Sequence, residues 1–327
     1  MPIVPGGADD PAERIERLLE QQAPEIRAAF LAAVAQIQNR NTIEAIVEML
    51  ESGQTQQLFA AVQPAAEIFA TSYGTAVTEA GIDTAAFLTN EALTDPIAFD
   101  RARLNVVQVI QDEQQRLIRI FTQEQNQVIR NALQDGFNRG LNPREQARNI
   151  RSTVGLAPVH EQWVANYRSQ LEGRLDGLPS RAALRRQLRD RRFDRSVERA
   201  LRDGRPLDAE RINRMVERYR ERMVAFHAEI VGRTEALSAV HQGSRATYEQ
   251  AIASGQFTAE ELERKWWTAR DERVRHSHRL LHDTTRGFNE PWQALGGSLM
   301  FPGDPRAPLS ETAQCRCSVT IRLRPPS

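Results

Sequence analysis

A chain of 327 residues exceeds one average domain, which makes two domains the starting expectation, and it is ample to bury a core. Its 43 basic and 43 acidic residues cancel, so no global field drives it onto nucleic acid or a membrane surface, and any such contact must be local. Two cysteines exclude a disulfide framework, and their C-x-C spacing would strain a bond between them, which points to reduced thiols in a cytosolic setting.

The opening MPIVPGGADDP lacks a positive start followed by an apolar run, so no secretory signal is expected. No window approaches about eighteen unbroken apolar residues, and the expectation is a soluble intracellular product with no membrane contact. Lys265 is the only lysine, which reads first as the codon bias of a GC-rich genome.

In chain order, residues 1–9 carry Pro and Gly without periodicity. Asp10-Pro11-Ala12-Glu13 then has the form of a helix start, with Asp as N-cap, Pro at the first helical position and Glu reaching back. Ile15, Leu18, Leu19, Phe30, Leu31 and Val34 continue it at a 3.6-residue period. Asn41-Thr42 and Gly53 bracket a second helix. A third is expected over 54–80, kinked or divided at Pro64, with a separate short piece over 84–93.

From Phe99 to Phe137 an apolar stripe (Leu104, Val107, Ile110, Leu117, Phe121, Val128) faces a Gln-rich surface, predicting a helix roughly 55–60 Å long. A helix of that length suits a bundle spine or a spacer arm. Asn142-Pro143-Arg144-Glu145 repeats the capping pattern, and His160–Leu171 carries Trp163, Val164 and Tyr167 on one face. Residues 181–205 hold ten arginines against four acids, and a helix there would bring Arg185, Arg186, Arg189, Arg192 and Arg199 to one side. Three readings of that stripe stand open: a solvated face laced with i,i+4 acids, a phosphate-contacting stripe, or a contact for an acidic partner protein. Pro206-Leu207-Asp208 opens another long helix reaching Gly243 or beyond. Within it, Arg233-Thr234-Glu235 suggests a buried Arg–Glu pair locking this helix to the last segment, in preference to a catalytic Glu.

Rare side chains concentrate near the C-terminal end: His276, His278, His282, Trp266 and Trp267 in KWWTARDERVRHSHRLLHD, then Cys315 and Cys317 in QCRC. Lys265–Thr268 has strand character, Asp271–Arg275 leads into a short helix with His278 and His282 one turn apart, and Cys317–Leu323 alternates as a final strand. The fold class that follows is mainly α: a long-helix N-terminal bundle or arm over 1–135, then 136–327, helical over 136–262 with a small α+β unit over 263–327. His278, His282, Cys315 and Cys317 contain a plausible structural Zn2+ ligand set. The alternatives are a hydrogen-bonded core, with His278 held by Asp271 or a backbone carbonyl, and catalysis by Cys317 beside His278. No catalytic signature surrounds them, and no cofactor other than zinc is suggested.

RTEALSAVHQG at 233–243, KWWTARDERVRHSH, FPGDPRAP at 301–308 and E-T-A-Q-C-R-C, in that order, resemble the Mu F-like phage head morphogenesis (minor capsid protein) family. GLNPREQARNIRSTVGLAP and NYRSQL are similar to the approach to that domain, so the resemblance covers roughly 136–323. Arg233, Glu235, Trp267, Asp271, Arg275, His278, Cys315 and Cys317 fall on its motif positions. Gln314 stands where the family has Asn, a swap that keeps the amide, and Asp283 stands where a Gly closes the His-containing helix. The resemblance implies a virion component of a tailed double-stranded DNA phage, prophage or related particle. It would be present in few copies, bind the portal and capsid or scaffold components during procapsid assembly in the host cytoplasm, and reside in the head interior near the portal with double-stranded DNA in reach. A metal-dependent hydrolase or effector enzyme carried in the particle is the competing expectation.

Overall fold

The computed structural model describes residues 11–91, 95–173 and 177–324. In chain order these form α1 (Pro11–Arg40), α2 (Ile43–Glu51), a 3₁₀ turn (Thr55–Phe59), α3 (Val62–Asn90), α4 (Leu104–Asn138), α5 (Pro143–Thr153) and α6 (Pro158–Glu172). Two 3₁₀ turns (Arg181–Arg185 and Arg191–Phe193), α7 (Asp194–Asp203) and the 45-residue α8 (Ala209–Ala253) follow. The last segment holds β1 (Leu262–Thr268), α9 (His276–Arg279), β2 (Thr285–Gly287), β3 (Trp292–Ala294), β4 (Gly297–Leu299), α10 (Leu309–Thr312) and β5 (Cys317–Leu323). The protein is thus mainly α with a small antiparallel β region near the C-terminal end, as the patterning predicts. No helix among the described residues is long and apolar enough to cross a membrane.

Local signals place several boundaries. Thr42 caps α2 by accepting from the Ala45 N–H at 3.2 Å, and Asn142 with Glu145 closes the expected capping box on α5, with Pro143 at its start. Asp10, the expected cap of α1, lies outside the described residues. Pro64 neither kinks nor divides a helix. It sits in the first turn of α3, where its missing N–H would have no partner anyway. α3 then runs on to Asn90, through Gly81 and most of the piece expected to be separate. Gly81 lies within the helix, and close contact keeps its position free of a side chain. A Cβ there would meet the Phe99 ring at 2.5 Å, and one on Gly243 of α8 would meet the Val77 carbonyl oxygen of α3 at 2.3 Å.

The 181–205 stretch corrects its sequence reading, because it is not one helix. The Asp190 carboxylate accepts from the Arg192 N–H and guanidinium, and Arg189 forks onto Asp194 through two 2.9 Å bonds, so local side-chain bonds outcompete helix propagation. Arg185 closes the first 3₁₀ turn, Arg186 bonds Gln170 at 3.0 Å, and only Arg199 lies in α7. The five arginines therefore do not share one side of a helix, and carboxylates neutralise two of them.

Two compact units emerge, neither contiguous in sequence. The first draws on the described parts of 1–30, 69–116 and 229–327, the second on 31–68 and 117–228. They do not follow a contiguous split at 135/136. The second unit packs Val128, Leu156, Val164, Tyr167, Val197, Met215 and Tyr219 into one core, and its Tyr167 and Tyr219 rings lie 4.5 Å apart. The first unit buries Leu88, Tyr248, Phe257, Leu262 and Phe288 together. It also buries polar pairs. Tyr73 Oη lies 2.9 Å from Ser238 Oγ, and Arg116 bridges Glu113 and Glu235 at 2.6 Å each. The expected lock between Arg233–Glu235 and the last segment thus needs correcting. The partner of Glu235 is Arg116 of α4, while Arg233 has Glu16, at 3.9 Å, as its one ion-pair partner among the described residues.

β1 is the centre of a three-stranded antiparallel sheet, ordered β2-β1-β5, and β3 pairs with β4 as a separate hairpin. The register sets Thr268 opposite Cys317 and Trp266 opposite Val319, so Arg264, Trp266, Cys317 and Val319 share the inward face. Buried Arg264 is clamped there by the carbonyls of Gly287, Glu290 and Met300, with its guanidinium 4.7 Å from the Trp292 ring centroid.

Candidate metal centre

α9 is a single turn that buries Ser277 and His278. His278 Nδ1 lies 3.3 Å from Cys315 Sγ and 3.5 Å from Cys317 Sγ. All three residues are buried, at 1%, 0% and 4% exposure. Their donor atoms lie within 4.8 Å of one another, and among the described residues they form the one such His/Cys/Asp/Glu group. A tetrahedral Zn2+ with bonds of about 2.05 Å to nitrogen and 2.3 Å to sulfur would hold its N and S ligands about 3.6 Å apart. The spacing and the chemistry of the donors therefore fit a zinc ion, with three corners supplied by protein.

His282, the fourth expected ligand, is not brought to this group. Its Nδ1 lies 3.1 Å from the Thr268 backbone nitrogen and its Nε2 2.9 Å from the Arg270 guanidinium, so both ring nitrogens face other partners. The helix ends before His282, so the one-turn spacing that would have aligned it with His278 does not exist.

The carboxylate behind His278 is also not the expected one. Asp271 instead takes the Arg316 guanidinium at 2.7 Å and the Arg273 N–H at 3.1 Å. Glu311 stands 2.9 Å from His278 Nε2, off the line of a straight hydrogen bond. It is itself fixed by the Ser277 hydroxyl at 2.8 Å and the Gly296 N–H at 3.0 Å. A buried carboxylate behind a ligating imidazole sets its tautomer, leaving Nδ1 free for a metal. Sequence reasoning missed Glu311 and Ser277. The available signal was their adjacency to the key residues: Glu311 is four positions before Cys315, and Ser277 precedes His278.

The two thiols share their acidity. The Cys317 hydrogen bond and His278 hold Cys315 well below the usual thiol range against its burial. The Cys315 sulfur and burial push Cys317 up, opposed by the Trp266 indole N–H and Arg275. A zinc ion would take both sulfurs as thiolates.

The loop carrying the cysteines is held from several directions. The Gln314 N–H donates to Thr234 Oγ1 of α8 at 3.0 Å, the Ala269 N–H to the Arg316 carbonyl at 3.0 Å, and Arg275 to the Ala313 carbonyl. The PGD turn rests on α8: Gly303 is left-handed, and a Cβ on it would meet the Ser238 nitrogen at 3.2 Å. Phe301 stacks at 5.8 Å on His241. Trp267 faces the other side of β1, bonding Thr320 at 3.0 Å and lying under Lys265, which pairs with Asp283 at 2.5 Å.

Gln314 and Asp283 both have positive φ, 50° and 65°. Asp tolerates this region and Gln does so less well. Gln314→Asn is therefore expected to stabilise the protein by about 0.5 kcal/mol, read as a raised urea midpoint. A lowered midpoint would mean that the longer side chain contributes more than its backbone strain costs.

No protein-family model, no curated protein and no solved structure matches this chain.

Proposed function

We propose that this chain is a minor capsid protein acting in head morphogenesis of a tailed double-stranded DNA phage, prophage or related particle. In this reading it is incorporated in few copies and binds the portal protein while the procapsid assembles in the host cytoplasm. It then resides in the head interior near the portal, facing packaged DNA. The observation that carries the reading is the meeting of the four family-like blocks. Segments as far apart as Thr234 and Gln314 interlock in the first unit through the Thr234–Gln314, Asp271–Arg316, His278–Cys315 and Phe301–His241 contacts. Motif residues that hold one another serve a shape, and a shape presented to assembly partners is what a morphogenesis protein needs.

The competing reading, a metal-dependent hydrolase or effector carried in the particle, requires an open coordination position or a nucleophile–base pair lining a cleft. Burial of all three donor residues argues against it. The test is co-expression with the portal protein of the same replicon, followed by size-exclusion chromatography and cross-linking mass spectrometry. Co-elution as a defined complex, with this chain recovered from purified particles, is the expected result. Failure to associate, together with zinc-dependent hydrolysis of a model ester or peptide, would replace the capsid reading with the enzymatic one.

A further inference from the structure

Arg220 of α8 has an unusual setting within the second unit. Its Nη1 donates to Ser152 Oγ at 2.5 Å and its Nη2 to Asn149 Oδ1 at 3.0 Å, both neutral acceptors on α5, while its Nε is buried without a partner. No carboxylate among the described residues comes within ion-pair distance of it. Buried charges are ordinarily paired, because an uncompensated ion in a low-dielectric setting is costly. Burial, then the neighbouring Arg168, lowers its pKa to about 10 against the opposing pull of the more distant Glu161, Glu217 and Asp135.

This guanidinium lines a cavity of about 220 Å³ between α5, α6 and α8, with Arg139, Arg148 and Arg168 also in the wall. Two carboxylates line it as well. Glu145 is occupied by its own capping box, and Glu217 makes no ion pair among the described residues. Arg168 is partly committed to Glu172 and Asn213, and Arg139 to Asp135. Arg148 carries no such commitment. With Arg139 and Arg168 held by Asp135 and Glu172, the cavity keeps two guanidiniums that make no ion pair among the described residues, Arg220 and Arg148.

We propose that this cavity is an oxyanion site taking a phosphate group, gripped by Arg220 and Arg148 with Arg168 and Arg139 at its rim. Guanidinium forks match the tetrahedral oxygens of phosphate, and Asn149 and Ser152 already orient the Arg220 fork. The phosphate can come from two sources, a free phosphate or the phosphodiester of DNA. The site stands independently of the capsid reading, since it uses none of the residues that carry that reading.

The test uses the full chain and isothermal titration with sodium phosphate, against sodium chloride at matched ionic strength. Saturable phosphate binding is expected, weakened about tenfold or more in Arg220→Gln and in Arg148→Gln, and unchanged in Arg199→Gln, which lies outside the cavity. Arg148 is exposed, so its variant reports on binding even where Arg220→Gln fails to fold. A short DNA duplex followed by fluorescence anisotropy separates the sources. Duplex binding lost in the same two variants identifies the phosphodiester, and phosphate binding without duplex binding identifies the free anion. No saturable binding of either probe, or binding indifferent to Arg148→Gln, overturns the proposal.

Discussion

About one zinc ion per chain is the expected result of elemental analysis on protein purified without a His tag. Chelation should then lower the melting temperature by about 10 °C or more. His278 Nδ1, Cys315 Sγ and Cys317 Sγ already sit at zinc-like separations in a buried pocket, and the donors come from two elements brought together only by folding. Metal affinity therefore becomes folding free energy. Cys317→Ser should abolish zinc retention and reduce stability or particle assembly without removing any turnover. No metal, no chelator effect and unchanged melting of Cys317→Ser would leave a hydrogen-bonded thiol–imidazole core in place of a metal staple.

Arg116→Met should cost about 3–5 kcal/mol at pH 8 and clearly less at pH 5. Arg116 is the shared cation of Glu113 and Glu235, whose side chains are only 14% and 12% exposed. Burial raises the Glu235 carboxyl above its ordinary range, and Arg116 works against that rise. A raised acid holds its proton more tightly in the folded than in the unfolded chain. Its contribution thus favours the fold at low pH and is lost as pH rises through the carboxylate range. Without Arg116 the rise is larger, so the penalty falls mainly above that range. Urea melts at the two pH values provide the check. An equal loss at both would show that the ionisation of Glu235 does not set the cost of this substitution.

Much of the architecture was legible because it rests on local rules. The Asn142 capping box, the Lys265–Thr268 and Cys317–Leu323 strands and the long 3.6-period stripes are each written within a few consecutive residues. Other features depend on contacts distant in sequence. Gly81 reads as a break until the Phe99 ring explains why no side chain fits there. The 181–205 run has helical composition, yet the Asp190 and Asp194 side chains redirect it. At the candidate centre, His278 with Cys315 and Cys317 was visible as a cluster of rare residues. The carboxylate was not, because Glu311 and Asp271 are equally near in sequence to plausible partners, and only the packing of α10 against α9 decides between them.

The order in which the chain leaves the ribosome adds a consequence of the interleaved units. Every segment of the second unit has been made by residue 228, whereas the first unit draws on residues before 31 and also needs β5, which ends at Leu323. The N-terminal half of α1 meets α3 early, since Arg14 bonds Asp83 and Gln22 bonds the Ala76 carbonyl, but the first unit as a whole waits for the segment that begins at Glu229. Contacts this remote close slowly and leave apolar surface uncovered in the interval. Nascent chains stalled before β5 should protect the second unit from protease while leaving the first open, which makes the C-x-C strand the step that closes the first unit.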